Sequence, residues 1–181
     1  VAGDHHGRAH RPFLAADGHD HIFVRRDEEA ASGVAHIVVD DSGENSIVVS
    51  PGANMGVSPA DVEAAESVIA AADLLILQLE VPLESVIRSA ELARVHGTKV
   101  VLNPAPACPV PARLLSMVDL LVPNESEAAL LTDLPVDTQV EAGKAAEALL
   151  GTGVGTVVLT LGKRGALLAC EGETEVIPAF H

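Results

Sequence analysis

The sequence has few aromatic residues and few positive charges. Among its 181 residues are three Phe and neither Tyr nor Trp. Surfaces that bind nucleic acids commonly stack bases on aromatic rings and neutralise phosphates with Lys and Arg. Here 11 Lys and Arg face 26 Asp and Glu, which gives a formal net charge of -15. We therefore expect neither a nucleic acid nor an anionic membrane surface as a partner.

Long apolar runs and cysteines are also scarce. No apolar run approaches the roughly 20 residues that a membrane-spanning helix needs, and the polar, histidine-rich start does not resemble a signal peptide. The two cysteines, Cys108 and Cys170, are too few for a disulfide framework. We interpret them as reduced thiols, which predicts a cytoplasmic protein.

The abundant residues are aliphatic, and their pattern predicts an α/β fold. Hydrophobic residues make up 48% of the chain, and after residue 57 apolar runs of strand length alternate with helical patterns. Such alternation indicates βαβ crossovers, so we predict a doubly wound, mainly parallel sheet with helices on both faces. The predicted strands are Asp73–Glu80, Thr98–Asn103, Val118–Pro123, Thr156–Leu161 and Ala166–Cys170. The predicted helices are Pro59–Ala71, Pro82–His96, Ala112–Met117, Asn124–Thr132 and Thr138–Leu150.

The chain divides into three predicted segments. Residues 1–31 show little periodicity and are predicted to be poorly ordered. Residues 32–50 hold two β-branched runs around the turn sequence DSGE, which predicts a hairpin. Residues 51–181 form the predicted α/β core. Five of the eight histidines lie in the first segment, at a spacing that fits no standard metal site: His5, His6, His10, His19 and His21.

Polar or Gly/Pro-containing tails follow the predicted strands of the core. In parallel sheets, ligands bind beyond the carboxyl ends of the strands. We therefore expect these tails to line one edge of the sheet. The four tails are Gln78–Glu80, Asn103–Ala107, Pro123–Glu127 and Thr160–Gly165.

Two of these tails contain carboxylates, and each carboxylate has two possible roles. Glu80 would either accept hydrogen bonds from the hydroxyls of a polyol or cap the helix that begins near Pro82. Asn124 and Glu127 lie three residues apart at the start of a helix, which fits a capping box. The same pair would also suit a site for nucleotide phosphates and hydrated Mg²⁺.

The tail Thr160–Gly165 reads TLGKRG, with two glycines around a basic pair. It is either an ordinary β-turn or a nucleotide-binding turn in which Lys163 and Arg164 help to neutralise phosphate. The spacing does not match a Walker loop.

Together, these stretches resemble the ribokinase-like carbohydrate kinases, also called the phosphofructokinase-B family. The similarity runs from about Leu14 to Phe180, nearly the whole chain. The combination of QLE, NPAPA, PNESE and TLGKRG in this order is specific, although each piece alone is not. The stretches that carry the resemblance are Arg25–Asn54, Leu74–Val86, Val100–Ala107, Asp119–Thr132 and Thr156–Leu168.

The resemblance implies an ATP-dependent kinase that acts on the primary hydroxyl of a pentose, with D-ribose giving D-ribose 5-phosphate. It implies that Glu80 binds the sugar and that Glu127 holds Mg²⁺ through water. The hairpin corresponds to a β-lid, which suggests a homodimer through that lid. The residues that the resemblance assigns to ATP are Asn124, Thr160, Leu161, Gly162, Lys163, Arg164 and Gly165.

The resemblance also predicts that this chain is a central fragment, truncated at both ends. The family's glycine-rich sugar-binding segment has no counterpart here, nor has its DTTGAGD-like segment with the catalytic base, the anion hole and ligands for a monovalent cation (K⁺). We therefore expect little kinase activity from the chain alone. Two alternatives stay open: another sugar kinase of the family, such as a fructokinase or a 2-keto-3-deoxygluconate kinase, and a non-catalytic nucleotide- or sugar-binding remnant.

Overall fold

The computed structural model describes residues 1–43 and 45–179, which form two compact units. The first unit comprises Val1–Ala65 and Glu80–Ser85, and the second comprises Glu66–Leu79 and the chain from Val86 onward. Glu44 of the predicted turn, Phe180, His181 and the side chains of His6, His10 and Arg11 lie outside the described set.

The first unit extends beyond the boundary that the sequence predicts after residue 50. Arg25 donates from Nε to Asp61 Oδ1 and from Nη2 to the Gly56 carbonyl, both at 2.9 Å. The Ala53 N–H donates to the Ala31 carbonyl at 2.8 Å. These bonds attach the segment that follows the hairpin to the N-terminal segment, so both belong to one unit.

Helix α1 (His5–Ala16) lies in the N-terminal segment, where the sequence predicts no regular element. That prediction was wrong, because Pro12 inside the helix and the polar composition obscure the helical period. Asp4 caps α1 by accepting the Gly7 N–H at 2.8 Å. The same carboxylate accepts the Ser32 N–H and the Ser32 hydroxyl, both at 2.7 Å. Asp4 thus joins the start of α1 to the base of the hairpin.

The predicted hairpin is confirmed. Strands β1 (Val34–Val39) and β2 (Asn45–Ser50) pair antiparallel over their whole length. Their β-branched residues favour the extended backbone. Every residue of both strands is exposed, including Val38 at 66% and Val48 at 68%. The hairpin therefore presents apolar side chains on both of its faces.

A short 3-10 helix (Gly52–Gly56) and helix α2 (Pro59–Ala64) complete the first unit. The sequence explains how α2 begins, because Ser58 and Asp61 form a capping box. The Asp61 N–H donates to Ser58 Oγ at 3.2 Å, and the Ser58 N–H donates to Asp61 Oδ2 at 2.9 Å.

The single helix predicted over Pro59–Ala71 is divided in the structure. Ala65 leaves the helical conformation, with φ -93° and ψ 6°, and a separate helix α3 (Glu66–Ala71) follows. The Ala65 N–H bonds to the Val62 carbonyl, three residues back, which tightens the last turn of α2. An apolar period alone does not reveal such a break.

The second unit is built on a six-stranded sheet whose strands lie in chain order. These strands are β3 (Leu74–Leu77), β4 (Lys99–Leu102), β5 (Leu120–Leu121), β6 (Thr156–Thr160), β7 (Ala166–Cys170) and β8 (Glu173–Ile177). The first four pair in parallel, and the last two pair antiparallel. The remaining helices are α4 (Leu83–His96), α5 (Ala112–Leu115), α6 (Glu125–Thr132) and α7 (Gln139–Leu150). The predicted α/β class with a mainly parallel sheet is confirmed.

One face of this sheet is buried, and the other is partly exposed. Leu102, Leu121 and Val157 are fully buried, whereas Leu74 and Ile76 on the other face are 55% and 71% exposed. The strands follow one another without a reversal of order. Right-handed crossovers between such strands place the connecting helices on the same side, which accounts for the well-covered face.

No helix among the described residues combines the length and the apolar character that crossing a bilayer requires. Both cysteines, Cys108 and Cys170, are half-buried free thiols.

The capping box of α2 should make the first unit sensitive to acid. Side-chain and backbone hydrogen bonds from Ser58, together with the Arg25 guanidinium, hold the pKa of Asp61 below its usual value. Such a carboxylate stabilises the fold above its unfolded pKa, and this contribution is lost as the pH falls through the folded pKa. We expect Asp61→Asn to lower the free energy of unfolding by about 1 kcal/mol at neutral pH. The difference from the parent should shrink as the pH falls through the folded pKa of Asp61, which lies below the usual value for an aspartate.

Urea denaturation followed by circular dichroism at neutral and acidic pH measures this effect. Asp41→Asn is the matched control, because Asp41 is exposed and makes no hydrogen bond among the described residues. A deficit of Asp61→Asn that stays constant from neutral to acidic pH would contradict the prediction.

Candidate functional site

The carboxyl ends of β5 and β6 bring two of the predicted site residues together. Asn124, three residues after β5, pairs in an isolated parallel bridge with Thr160, the last residue of β6. The Thr160 N–H donates to the Pro123 carbonyl at 2.9 Å, and the Thr160 hydroxyl lies 3.4 Å from the same oxygen. The tails predicted from the sequence as Pro123–Glu127 and Thr160–Gly165 are therefore neighbours.

Asn124 and Glu127 form the capping box of α6. Asn124 Oδ1 accepts the Glu127 N–H, and Glu127 Oε2 accepts the Asn124 N–H, both at 2.8 Å. Each side chain has a second polar atom, Asn124 Nδ2 and Glu127 Oε1, which makes no hydrogen bond among the described residues. Asn124 is exposed and Glu127 is only 5% exposed. The predicted capping box is therefore present. It leaves one donor, Asn124 Nδ2, and one acceptor, Glu127 Oε1, for a ligand.

The segment after β6 folds as a 3-10 turn (Gly162–Arg164) rather than as a simple β-turn. The Leu161 N–H donates to the Gly165 carbonyl at 2.8 Å, which closes the turn. Gly165 has φ +92°, and a Cβ there would lie 2.0 Å from the Ile177 carbonyl oxygen. Gly162 has φ +54°, and a Cβ there would have no neighbour within 4 Å. The turn is thus packed against β8 at one end and open at the other.

The two basic residues of this turn differ in their surroundings. Arg164 forms an ion pair with Glu125 and donates to the Asp137 carbonyl at 2.9 Å. Lys163 is exposed and has no hydrogen bond or ion pair among the described residues. Next to Arg164's partners lies a cavity of about 360 Å³. Its lining residues are Glu125, Ser126, Ala129, Pro135, Val136 and Asp137.

Asn103 is a further candidate for the site, which the sequence pattern places at the sheet edge without indicating a role for its side chain. It follows β4 directly, and its N–H donates to the Leu77 carbonyl at 3.0 Å. Its side-chain Oδ1 is buried and has no hydrogen-bond partner among the described residues. Buried polar atoms are almost always paired, so this one marks a position for a missing donor. The signal was a polar residue directly after an apolar strand.

Glu80 belongs to the first unit, where it lines a cavity of about 680 Å³. Glu80 itself is exposed. It makes no hydrogen bond among the described residues, so the helix-capping interpretation has no support. Most of the cavity wall is apolar, including Ile37 and Ile47 of the hairpin, and its polar side chains include Ser32 and Asn54. The predicted convergence of Glu80 with the residues of the second unit stays a prediction.

No group of three or more His, Cys, Asp or Glu side chains among the described residues could hold a metal ion by itself. Mg²⁺ usually keeps several waters and uses one or two carboxylates together with substrate phosphates. The buried carboxylate of Glu127 and the unpaired oxygen of Asn103 are oxygen ligands of the kind that hydrated Mg²⁺ prefers.

Comparison with known proteins gives the family. A family model described as pfkB family carbohydrate kinase matches residues 1–181. The chain belongs to the pfkB family of carbohydrate kinases. This match includes α1, so the family similarity covers residues 1–13 as well as the stretch from Leu14 that the motifs indicated.

The relatives of this pfkB chain include ribokinases. The ribokinase of Staphylococcus aureus (strain COL) is 41% identical over 161 residues, which cover 89% of this chain and 53% of the relative. The ribokinase of Haemophilus influenzae is 38% identical over 180 residues, which cover 99% of this chain and 59% of the relative. The structure of Arabidopsis thaliana ribokinase complexed with ribose and ATP is 29% identical, with a TM-score of 0.85, over 98% of this chain and 59% of that one. The pfkB chain therefore spans a little over half the length of these relatives.

The two glycines of the 162–165 turn should respond differently to a Cβ. Gly165→Ala should lower the free energy of unfolding by about 3 kcal/mol, because the new methyl group would collide with the Ile177 carbonyl. Gly162→Ala should cost about 1 kcal/mol, since only its left-handed backbone opposes the change. Urea denaturation midpoints compare the two variants. Equal losses in both would show that the contact with β8 does not hold the turn.

Proposed function

We propose that this chain is part of an ATP-dependent kinase that phosphorylates the primary hydroxyl of D-ribose to give D-ribose 5-phosphate. The observation that carries the proposal is the pairing of Asn124 with Thr160 at the carboxyl edge of the sheet, the edge where ligands bind in parallel α/β folds. The similarity to ribokinases supports D-ribose as the sugar substrate. The two free thiols support a cytoplasmic location.

The second unit would hold the nucleotide. Asn124 Nδ2 and the open backbone at Gly162 can approach polyphosphate oxygens, as can the Thr160 hydroxyl and the exposed Lys163. The N–H groups of the first turn of α6 add positive potential at the same edge. Leu161 directly precedes this turn, and its buried side chain holds the turn against the protein interior.

Mg²⁺ would bind beside the phosphates, held by Glu127 through water, with Asn103 Oδ1 as a further acceptor for its water shell. When bound, the ion would neutralise negative charge on the nucleotide phosphates. The family resemblance also implies a monovalent cation such as K⁺, and we assign none of the described residues to it.

The first unit would hold the sugar. Apolar residues of its cavity can cover the carbon skeleton, while Glu80, Asn54 and Ser32 can bond hydroxyl groups. The hairpin forms part of the cavity wall, so its closure over a sugar would exclude water from the transfer step. We assign the role of catalytic base to none of the described residues, and we therefore expect binding with little turnover from this chain alone.

Binding of the two ligands should be separable by substitution. Asn124→Asp keeps the capping oxygen, so stability should change little. The new carboxylate lacks the amide donor and repels polyphosphate, which should weaken MgATP binding about tenfold and leave ribose binding intact. Glu80→Gln should do the reverse, because it weakens only the acceptor for sugar hydroxyls. Isothermal titration calorimetry with MgATP and with D-ribose measures both affinities.

Asn124→Ala is the companion variant, since it removes both the cap and the ligand group. It should lower the free energy of unfolding by about 1 kcal/mol as well as the affinity for MgATP. Asn124→Asp binding MgATP as tightly as the unsubstituted chain would exclude Asn124 from the nucleotide site.

The same measurements separate the alternative functions. Tight binding of D-fructose or 2-keto-3-deoxygluconate instead of D-ribose would favour another kinase of the family. A full-length protein that binds MgATP without any turnover would favour a binding remnant.

A homodimer through the hairpin is part of the same proposal. Val38 and Val48 are exposed, and neither lines the cavity around Glu80. An exposed apolar strand pair of this kind favours association with a second copy. Sedimentation velocity should show a dimer for the parent chain and a monomer for Val48→Lys. A parent that sediments as a monomer at all concentrations would exclude this dimer.

A further inference from the structure

Arg164 connects three segments of the second unit. Its backbone belongs to the 3-10 turn after β6, and its side chain reaches the first turn of α6 and the connection between α6 and α7. The guanidinium forms an ion pair with the Glu125 carboxylate and donates to the carbonyls of Asp137 at 2.9 Å and Val136 at 3.5 Å. These partners lie 27 to 39 residues away along the chain, so this side chain fixes a long-range arrangement.

The turn itself needs such a support. Its backbone makes local hydrogen bonds, from the Arg164 N–H to the Leu161 carbonyl at 3.0 Å and from the Gly165 N–H to the Gly162 carbonyl at 3.1 Å. Gly165 packs tightly against β8, whereas the position of a Cβ on Gly162 is open on all sides. The end of the turn that would face a ligand is therefore held mainly through Arg164.

The partner of Arg164 lies in the same helical turn as the capping box. Glu125 directly follows Asn124 and precedes Glu127, so fixing Glu125 also fixes the distance between that box and the turn at 162–165.

We propose that Arg164 is a positioning residue for the nucleotide site: it pairs with Glu125 and aligns the 162–165 turn with Asn124, without itself binding phosphate. This inference rests on the proposed function and assigns Arg164 a different role from the direct phosphate contact that its sequence context predicts. The fork of a guanidinium suits simultaneous bonding to a carboxylate and to carbonyls, which the ammonium of lysine cannot reproduce.

The two roles make opposite predictions for the partner residue. If Arg164 bound phosphate directly, removal of Glu125 would release the guanidinium and would preserve or tighten MgATP binding. If Arg164 acts through Glu125, then Glu125→Ala, Arg164→Ala and the double variant should weaken MgATP binding by similar factors, about tenfold. Arg164→Lys should not restore the affinity. Binding of D-ribose should be unchanged in all four variants.

Lys163→Ala is the matched variant, since it removes a positive charge from the same turn without removing a protein contact. Any loss of affinity in Lys163→Ala should disappear at high salt, where exposed charges are screened. The loss in Arg164→Ala should persist at high salt, because it comes from altered geometry. Both side chains of the Arg164–Glu125 pair are 41% exposed, and such pairs contribute little to global stability. The urea midpoint of Arg164→Ala should therefore match the parent.

Titration calorimetry with MgATP at low and high salt, together with urea denaturation, gives these comparisons. MgATP affinity that is unchanged or tighter in Glu125→Ala but weaker in Arg164→Ala would overturn the inference and make Arg164 a direct ligand. Full rescue by Arg164→Lys would also overturn it. A parent chain that fails to bind MgATP would overturn the nucleotide site itself, and the inference with it, so the two failures are distinguishable.

Discussion

The parallel register between β5 and β6 is the constraint on which the candidate nucleotide site depends. Leu121 pairs with Val157 inside the sheet, and the same offset continues to Asn124 beyond β5 and Thr160 at the end of β6. Leu121 and Val157 are both fully buried. A slip of one residue would turn Val157 out of the core and would separate the two site residues. Core packing therefore positions the site.

Several polar side chains at this edge combine a structural bond with a spare polar atom. Asn124 caps α6 with its oxygen and keeps its amide nitrogen free, and Glu127 uses one carboxylate oxygen and keeps the other. Capping and ligand binding are thus compatible in one residue. Asn103 differs, since its buried oxygen has no protein partner, and Arg164 differs in the opposite sense, because protein groups surround its guanidinium. A polar side chain with an atom that lacks a protein hydrogen bond is therefore a candidate to bind ligand. A side chain whose polar atoms are all bonded to protein groups is a candidate to support the site.

In the first unit, too, one side chain makes more than one structural bond at the base of the hairpin. Asp4 caps α1 and also holds Ser32 just before β1, so the helix start and the hairpin base share one carboxylate. The hairpin leaves apolar residues exposed on both faces, of which one lines the cavity beside Glu80. An exposed apolar strand pair is costly in isolation, which fits a segment that covers a ligand on one side and meets a partner on the other.

The sequence by itself determined the hairpin, the order of strands β3 to β7 with the helices between them, and the capping boxes at Ser58 and Asn124, because these depend on apolar period and on residues three apart. It predicted neither β8 nor the division of α2 from α3. It did not reveal α1, whose proline and polar residues hide the period. Only the tertiary structure decided which groups face Arg164 and that Asn103 lacks a partner. Such facts depend on contacts between residues far apart in the chain, and local pattern carries no information about those contacts.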